Sequence, residues 1–281
     1  MIKFNKITII GVGLIGGSIG LAVKKNKMAR EVVGVFRRPS SLKKALKRKA
    51  IDWGTLDMEK GASGADIVIV ATGVEKIATM IKMAVPFARP GCIFTDVGSV
   101  KAEIVKGVEL FMPSNKFFIG SHPMAGLENS GVEHAKSDLF VNATTILTPT
   151  KHTNKKALSA IKALWGALGS KVEILTPDKH DNLICQVSHL PHLMAAAVSA
   201  VPAKEALKFA AGGYRDTTRI ASSDPKLWAQ ISIMNRKNLE CSVIKAMGIL
   251  ESLKKSIASG NKKELINKLK KYKAKRDSIL Q

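Results

Sequence analysis

The stretch KITIIGVGLIGGSIG, residues 6–20, decides the fold of this 281-residue chain. It starts apolar and β-branched, turns through Gly11-Val12-Gly13-Leu14-Ile15-Gly16, and continues as a small-residue helix. A strand that turns on glycine straight into a helix is the opening of a dinucleotide-binding βαβ unit. Gly11 permits the tight turn, and Gly13 lets the backbone approach a pyrophosphate at the helix N-terminus. Gly16 allows helix and strand to pack closely. These three glycines, with Leu14 and Ile15 between them, are expected to bind a cofactor. Lys3 and Lys6 ahead of the uncharged run 7–23 imitate a signal peptide. Five glycines, and a length short of the roughly 20 apolar residues of a span, argue against a membrane segment.

Outward from this unit, short β-branched runs alternate with helical patterns. Residues 31–36, 65–72, 92–97, 116–121 and 144–149 read as buried strands, and 171–175 as a last one after a helix over 153–168. The early connections are long enough for crossover helices, so the expected architecture is a doubly wound parallel α/β sheet with helices on both faces. After Pro177 strand patterns stop. Apolar residues at 183, 187, 190, 194, 197 and 201 share one helical face, 225–258 continues as a long helix, and a basic helix 262–279 closes the chain. The expected domains are 1–176, dinucleotide-binding, and 177–281, all-helical.

The end of the second strand bears on the cofactor. NAD-binding units place an Asp or Glu there for the ribose 2′-hydroxyl, whereas this chain has Phe36, Arg37 and Arg38, with Ser40 and Ser41 behind them. Guanidinium groups beside hydroxyls suit a 2′-phosphate, so NAD(P) is expected with NADP favoured. Arg37, Arg38 and Ser41 are its candidate ligands, together with Thr72 at the end of the third strand pattern. A solvated basic helix face also accounts for the later lysines of 37–49.

Lys and Arg number 45 against 22 Asp and Glu, a formal charge of +23. That raises nucleic acid, an anionic membrane surface or an anionic substrate as partners. Few aromatics (5%) and no recognition motif argue against nucleic acid. The cysteines Cys92, Cys185 and Cys241 form no disulfide framework, so a reducing, cytoplasmic setting is expected. Cys185, His189 and His192 have poor metal-ligand spacing, and no metal is expected.

Two segments carry candidate chemistry. DVGSVK (96–101) and GSHPMAG (120–126) follow the fourth and fifth strands, where open α/β sheets bind ligands. Ser99 reads as a helix cap or a site residue, and His122 as a loop histidine placed to meet a substrate. In the helical half, Asn182, Gln186, Ser188, His189 and His192 stripe an apolar helix. GGYRDTTRIASSDPKLW (212–228) sets Arg215, Asp216 and Arg219 together, as a surface ion-pair pattern or a carboxylate clamp.

These motifs, with GSHPMAGLENSG (120–131) and SHLPH (188–192), resemble the prephenate/arogenate dehydrogenases of tyrosine biosynthesis over nearly the whole length. The resemblance implies a Rossmann-type domain followed by a helical dimerisation domain, and a homodimer. The activity it implies is NAD(P)-dependent oxidative decarboxylation of prephenate, with arogenate as the alternative substrate. It implies His122 as the catalytic histidine supported by Ser99, and Arg219 on a substrate carboxylate. Glu128, Asp216 and Arg215 match an entrance ionic network, and His189 and His192 match substrate-side histidines. The chain lacks the family's frequent Asp at 36, and neither a C-terminal regulatory domain nor a fused chorismate mutase is expected. Rival readings are an NADP-linked hydroxyacid dehydrogenase, whose catalytic lysine motif is missing, a dinucleotide sensor and a nucleic-acid binder.

Overall fold

The computed structural model describes residues 4–126 and 129–279. Strand β1 (Phe4–Ile10) runs into helix α1 (Leu14–Lys25), and β2 (Ala29–Val35) follows beside β1 in parallel. Helix α2 (Pro39–Lys47) leads to β3 (Trp53–Thr55), a strand too short to announce itself in the sequence. Helix α3 (Met58–Ala62), β4 (Ile67–Val70), α4 (Ile77–Ala84), β5 (Ile93–Asp96), α5 (Ala102–Glu109) and β6 (Phe117–Pro123) complete the parallel part. The eight strands lie in the order β3-β2-β1-β4-β5-β6-β7-β8. The order reverses between β1 and β4, and the crevice at such a switch point is where these sheets bind ligands.

β7 (Thr144–Thr148) departs from the expected parallel sheet by running antiparallel to β6. Among the described residues of 124–143 there is one short 3₁₀ turn, Val132–His134, and no crossover helix. Without a helix to carry the chain back across the sheet, the next strand returns in the opposite sense. Helix α6 (Lys155–Ala167) then restores a parallel crossover to β8 (Lys171–Ile174).

Both sheet faces are covered. Ile7, Ile9, Ile19 and Trp165 belong to the core on one side, and Val68, Ile81, Phe94 and Ile104 to the core on the other. From Pro177 the described chain is helical: α7 (Pro177–Ile184), a π-helical turn Cys185–His189, α8 (Leu190–Ala200), α9 (Gly212–Thr218), α10 (Pro225–Met234), α11 (Arg236–Ala258) and α12 (Lys262–Asp277). The single helix expected over 225–258 is broken at Asn235, which is buried at the joint. Helix α10 inserts Ile231 into the second core, packed by Trp228 and Met234, and so fastens the helical part to the sheet.

The apolar face read from 183 to 201 points outward: Val187 is 69% and Val201 82% exposed. The inward face instead carries Ile184, Cys185, His189 and Ala195. The run Pro177–Ala200 is long and apolar enough to cross a membrane by length and composition, with a mean hydropathy of 1.3. His180, Asp181 and His189 lie within that run, buried in the protein.

The close helix–strand packing read from Gly16 has a direct measure. A Cβ there would stand 2.3 Å from the Gly11 carbonyl oxygen. Gly16→Ala is expected to destabilise the fold by about 1–3 kcal/mol, read as a lowered midpoint in urea unfolding.

Candidate active site

The first turn of α1 leaves backbone N–H groups without intrahelical partners, and its N-cap, Gly13, offers no side-chain cap. No acidic residue stands in that turn. Gly11 adopts φ +91°, and a Cβ on it would lie 2.7 Å from the Ala71 carbonyl oxygen, so the chain turns here only with glycine. A Cβ on Gly13 would meet nothing within 4 Å, because it faces a cavity of about 870 Å³. Gly11, Val12, Gly13, Arg37, Arg38, Ser41, Thr72 and Gly73 line that cavity. An uncapped helix N-terminus open to a crevice of this size fits a dinucleotide pyrophosphate. Leu14 and Ile15 are half-buried behind it, outside the lining.

Position 36 carries a ring that lines the cavity and packs against the strands behind it. The Phe36 ring turns inward, so close to Gly34 and Gly54 that a Cβ on either would stand 2.5 and 2.7 Å from it. Arg37 and Arg38 are exposed at the cavity rim, and Arg38 is the N-cap of α2, with no side-chain cap to that helix.

A second constellation is built at the carboxyl ends of β5 and β6. Asp96, the last residue of β5, pairs with the fully buried Lys101 ammonium, and Lys101 Nζ also donates to the Ser121 carbonyl at 2.9 Å. Ser121 N donates to Asp96 Oδ1 at 3.1 Å, so one ion pair holds both sides of the residue before His122. Burial lowers the Lys101 pKa, against the opposing pull of Asp96.

His122 is not in a loop, as the sequence suggested. It lies within β6 opposite Ile146 of β7, because the antiparallel return extends β6 through Pro123. Its Nδ1 is 2.8 Å from His180 Nε2, and His180 Nδ1 is 2.8 Å from Asp181 Oδ1. Burial, then the neighbouring His180, Lys101 and His189, push the His122 pKa well below 6.5. Burial lowers His180 too, with the Asp181 carboxylate pulling the other way. His180, Asp181, Asp96 and Lys101 carried no individual signal in the sequence. The i, i+1 pair His180-Asp181 acquires meaning only when α7 docks on the sheet.

Ser99 does not cap a helix at Val100. Helix α5 starts at Ala102, and the Asp181 carboxylate from α7 accepts from Lys101 N at 2.8 Å and Ala102 N at 2.9 Å. A carboxylate satisfies two donors where a serine hydroxyl meets one. That frees Ser99, half-buried in the β5–α5 turn, with its carbonyl favouring a proton on His189.

His189 is 1% exposed. Its Nδ1 is 3.1 Å from Asn235 Nδ2, and Nε2 has no hydrogen-bond partner. Burial is the largest cause lowering its pKa to about 4. His192 stacks on Trp228, and His189 meets the same indole edge-on. Trp228 thus joins two expected histidines into one aromatic wall. Asn182 and Gln186 of the expected stripe stay outside, bonded to each other on the surface.

Arg215 and Asp216 are exposed on α9, and Arg219 begins the 3₁₀ turn Arg219–Ser222 packed on α8. Glu128 lies outside the described residues. Among the described residues, no three His, Cys, Asp or Glu side chains gather as a metal site.

Residues 19–174 match the family model for a prephenate dehydrogenase nucleotide-binding domain, and 176–271 match that for a prephenate dehydrogenase dimerization domain. A prephenate dehydrogenase of Bacillus subtilis is 38% identical over 84% of this chain, which spans only 65% of that relative. The prephenate dehydrogenase of A. aeolicus, solved with hydroxyphenyl propionate and NAD+, superposes with a TM-score of 0.91 at 33% identity, covering 98% of both chains. An arogenate dehydrogenase of Synechocystis superposes at 0.83 with 30% identity, over 98% of this chain and 99% of that one.

The buried neutral histidines set a pH dependence. Their folded pKa values lie below the unfolded 6.5, so the unfolded state binds protons first and stability falls as pH drops through that value. For His189 alone, a fall from 6.5 to about 4 corresponds to about 3 kcal/mol, lost progressively below pH 6.5 and fully by about pH 4. Urea midpoints measured from pH 7.5 to 4 should fall, and His189→Gln should flatten the curve. A flat wild-type curve would contradict the neutral, buried state.

Proposed function

The chain belongs to the prephenate dehydrogenase family, and from that premise we propose that it oxidatively decarboxylates prephenate to 4-hydroxyphenylpyruvate with a nicotinamide dinucleotide. The observation that carries this reading is His122. It is a buried, neutral histidine at the carboxyl end of β6, in a sheet whose switch point holds the glycine turn and its cavity. The bound dinucleotide supplies the hydride acceptor, and Gly11, Gly13, Thr72 and the first turn of α1 would hold it.

Prephenate is a cyclohexadienol with a ring carboxylate and a pyruvyl side chain. His122, uncharged, accepts the hydrogen bond of the ring hydroxyl and draws its proton away as the carbonyl forms. Positioned proton transfer of this kind contributes about 10²–10⁴-fold. Ser99, in the turn above Asp96, supports that contact. The ring carboxylate must leave as CO₂, so an ion pair on it would stabilise the ground state against reaction. Arg219 therefore grips the side-chain carboxylate, which survives into product. His189 and His192, the latter stacked on Trp228, belong to the substrate side. Arg215 and Asp216 belong to the entrance.

The inward Phe36, the two rim arginines and the uncapped N-terminus of α2 support NADP as the preferred cofactor. The outward apolar side chains of the helical part, Val187, Val201, Ile244 and Met247, support a homodimer in which a second copy covers them. With those faces covered, a cytoplasmic enzyme is the consistent setting.

Steady-state kinetics with prephenate and arogenate, each with NAD and NADP, test the reading directly. No turnover of either substrate would overturn it. His122→Asn should lower kcat by about 10²–10⁴-fold with an unchanged urea midpoint. Arg219→Ala should raise KM for the cyclohexadienol far more than it lowers kcat. Replacing Arg37 and Arg38 with Ala should raise KM for NADP about tenfold or more, the effect of losing one or two charge-assisted hydrogen bonds, with a smaller change for NAD.

A further inference from the structure

We propose that His180 and Asp181 fix the tautomer of His122 and hold the substrate's hydroxyl proton between its departure and its return. The proposal rests on the prephenate reading for the identity of that hydroxyl, and on geometry alone for the tautomer.

Asp181 Oδ1 accepts from Lys101 N and Oδ2 from Ala102 N, so both carboxyl oxygens are already engaged as acceptors. His180 Nδ1, 2.8 Å from Asp181 Oδ1, must therefore carry a proton. A neutral imidazole protonated on Nδ1 presents a lone pair at Nε2. That lone pair faces His122 Nδ1 at 2.8 Å, so His122 Nδ1 is the donor and its own lone pair sits on Nε2. The acceptor that the chemistry needs is thus set two residues away from the substrate. With His122 in the other tautomer, two lone pairs would face each other in a buried site.

The same chain says where charge goes. His122 is surrounded by His180, Lys101 and His189, each of which disfavours an imidazolium, and among the described residues no carboxylate is bonded to it. The groups acting on His180 are His122 from β6, Lys101 and Asp96 from the β5–α5 connection, and Asp181 on its own helix. Of these, Asp181 bonds it directly. As the hydroxyl O–H bond breaks, its proton goes to His122 Nε2, and the Nδ1 proton of His122 moves to His180 Nε2. The ring carbon's hydride goes to the dinucleotide oxidant of the proposed reaction, and the C–O bond becomes a carbonyl. When the bond to the carboxylate breaks and CO₂ leaves, that electron pair returns to the ring oxygen. The phenolate formed takes back a proton from His122 Nε2, and the relay runs in reverse. No net proton stays on the protein.

Nitrogen-15 NMR of the six histidines in the cofactor-free protein reads the tautomers without turnover. His122 should show a protonated Nδ1 and an unprotonated Nε2, and His180→Leu should abolish that pattern. In kinetics with prephenate, His180→Leu should lower kcat about 10²-fold with KM within about twofold. His180→Gln keeps an acceptor for His122 Nδ1 but cannot take up the proton. It should restore the tautomer while recovering only part of kcat, and shift the acid limb of the kcat–pH profile. An Nε2–H tautomer in the wild type would overturn the proposal, as would a wild-type kcat and pH profile in His180→Leu. Should His180→Leu fail to fold, the wild-type spectrum and His180→Gln decide. A wild-type protein with the expected tautomer but no prephenate turnover would refute the substrate reading and leave the tautomer assignment standing.

Discussion

The Asp181 carboxylate is the interaction on which the working structure depends. It sits in the first helix of the helical part, yet two of its three bonds go to the backbone that opens α5 at the end of β5. The third orients His180 against His122. Asn235 Nδ2, at the break between α10 and α11, donates to the Asp181 carbonyl and also reaches His189. One buried residue therefore couples a helix start, two histidines of the site and the joint between the two halves. A buried carboxylate is stable only when its lone pairs are met by donors, so the halves must close on each other for Asp181 to be buried at all.

Beneath it, the Asp96–Lys101 pair applies the same logic. Each charge is fully buried and would be costly alone. Together, with the Ser121 backbone completing their bonds, they hold the residue before His122 from both sides. Thr95 adds a hydroxyl contact to Ser121 and the Ile119 carbonyl, 2.7 Å each. This polar floor sits between two apolar cores, so it sets the position of a histidine that packing alone would leave free to rotate.

The basic excess separates by location. The 37–49 cluster borders the dinucleotide cavity, and Lys44 there also pairs with Glu133. The closing helix α12 keeps Lys268 busy with Glu264 and the Ser252 and Ser256 oxygens of α11, while Lys262 and Lys270 stand in solvent. A net charge of +23 favours encounter with anionic partners in general.

Residues 6–20 alone determined the βαβ opening, because a glycine turn between a β-branched strand and a small-residue helix has few other uses. Six further strands, the change to helices after Pro177 and the segment around His122 were equally legible, since period and turn chemistry are local properties. What required the tertiary structure were relations between distant residues. β7 reversed direction because the described residues of 124–143 form no crossover helix before it, which depends on the path of that segment rather than on the strand itself. His122 became part of a strand because β7 pairs with it. Asp181 replaced Ser99 as the cap of α5, and the outward face of 183–201 could not be told from an inward one, since periodicity marks a face without saying what meets it. His180 and Asp181 look ordinary in sequence, because a hydrogen-bond chain across 58 residues exists only once the helical half has docked on the sheet.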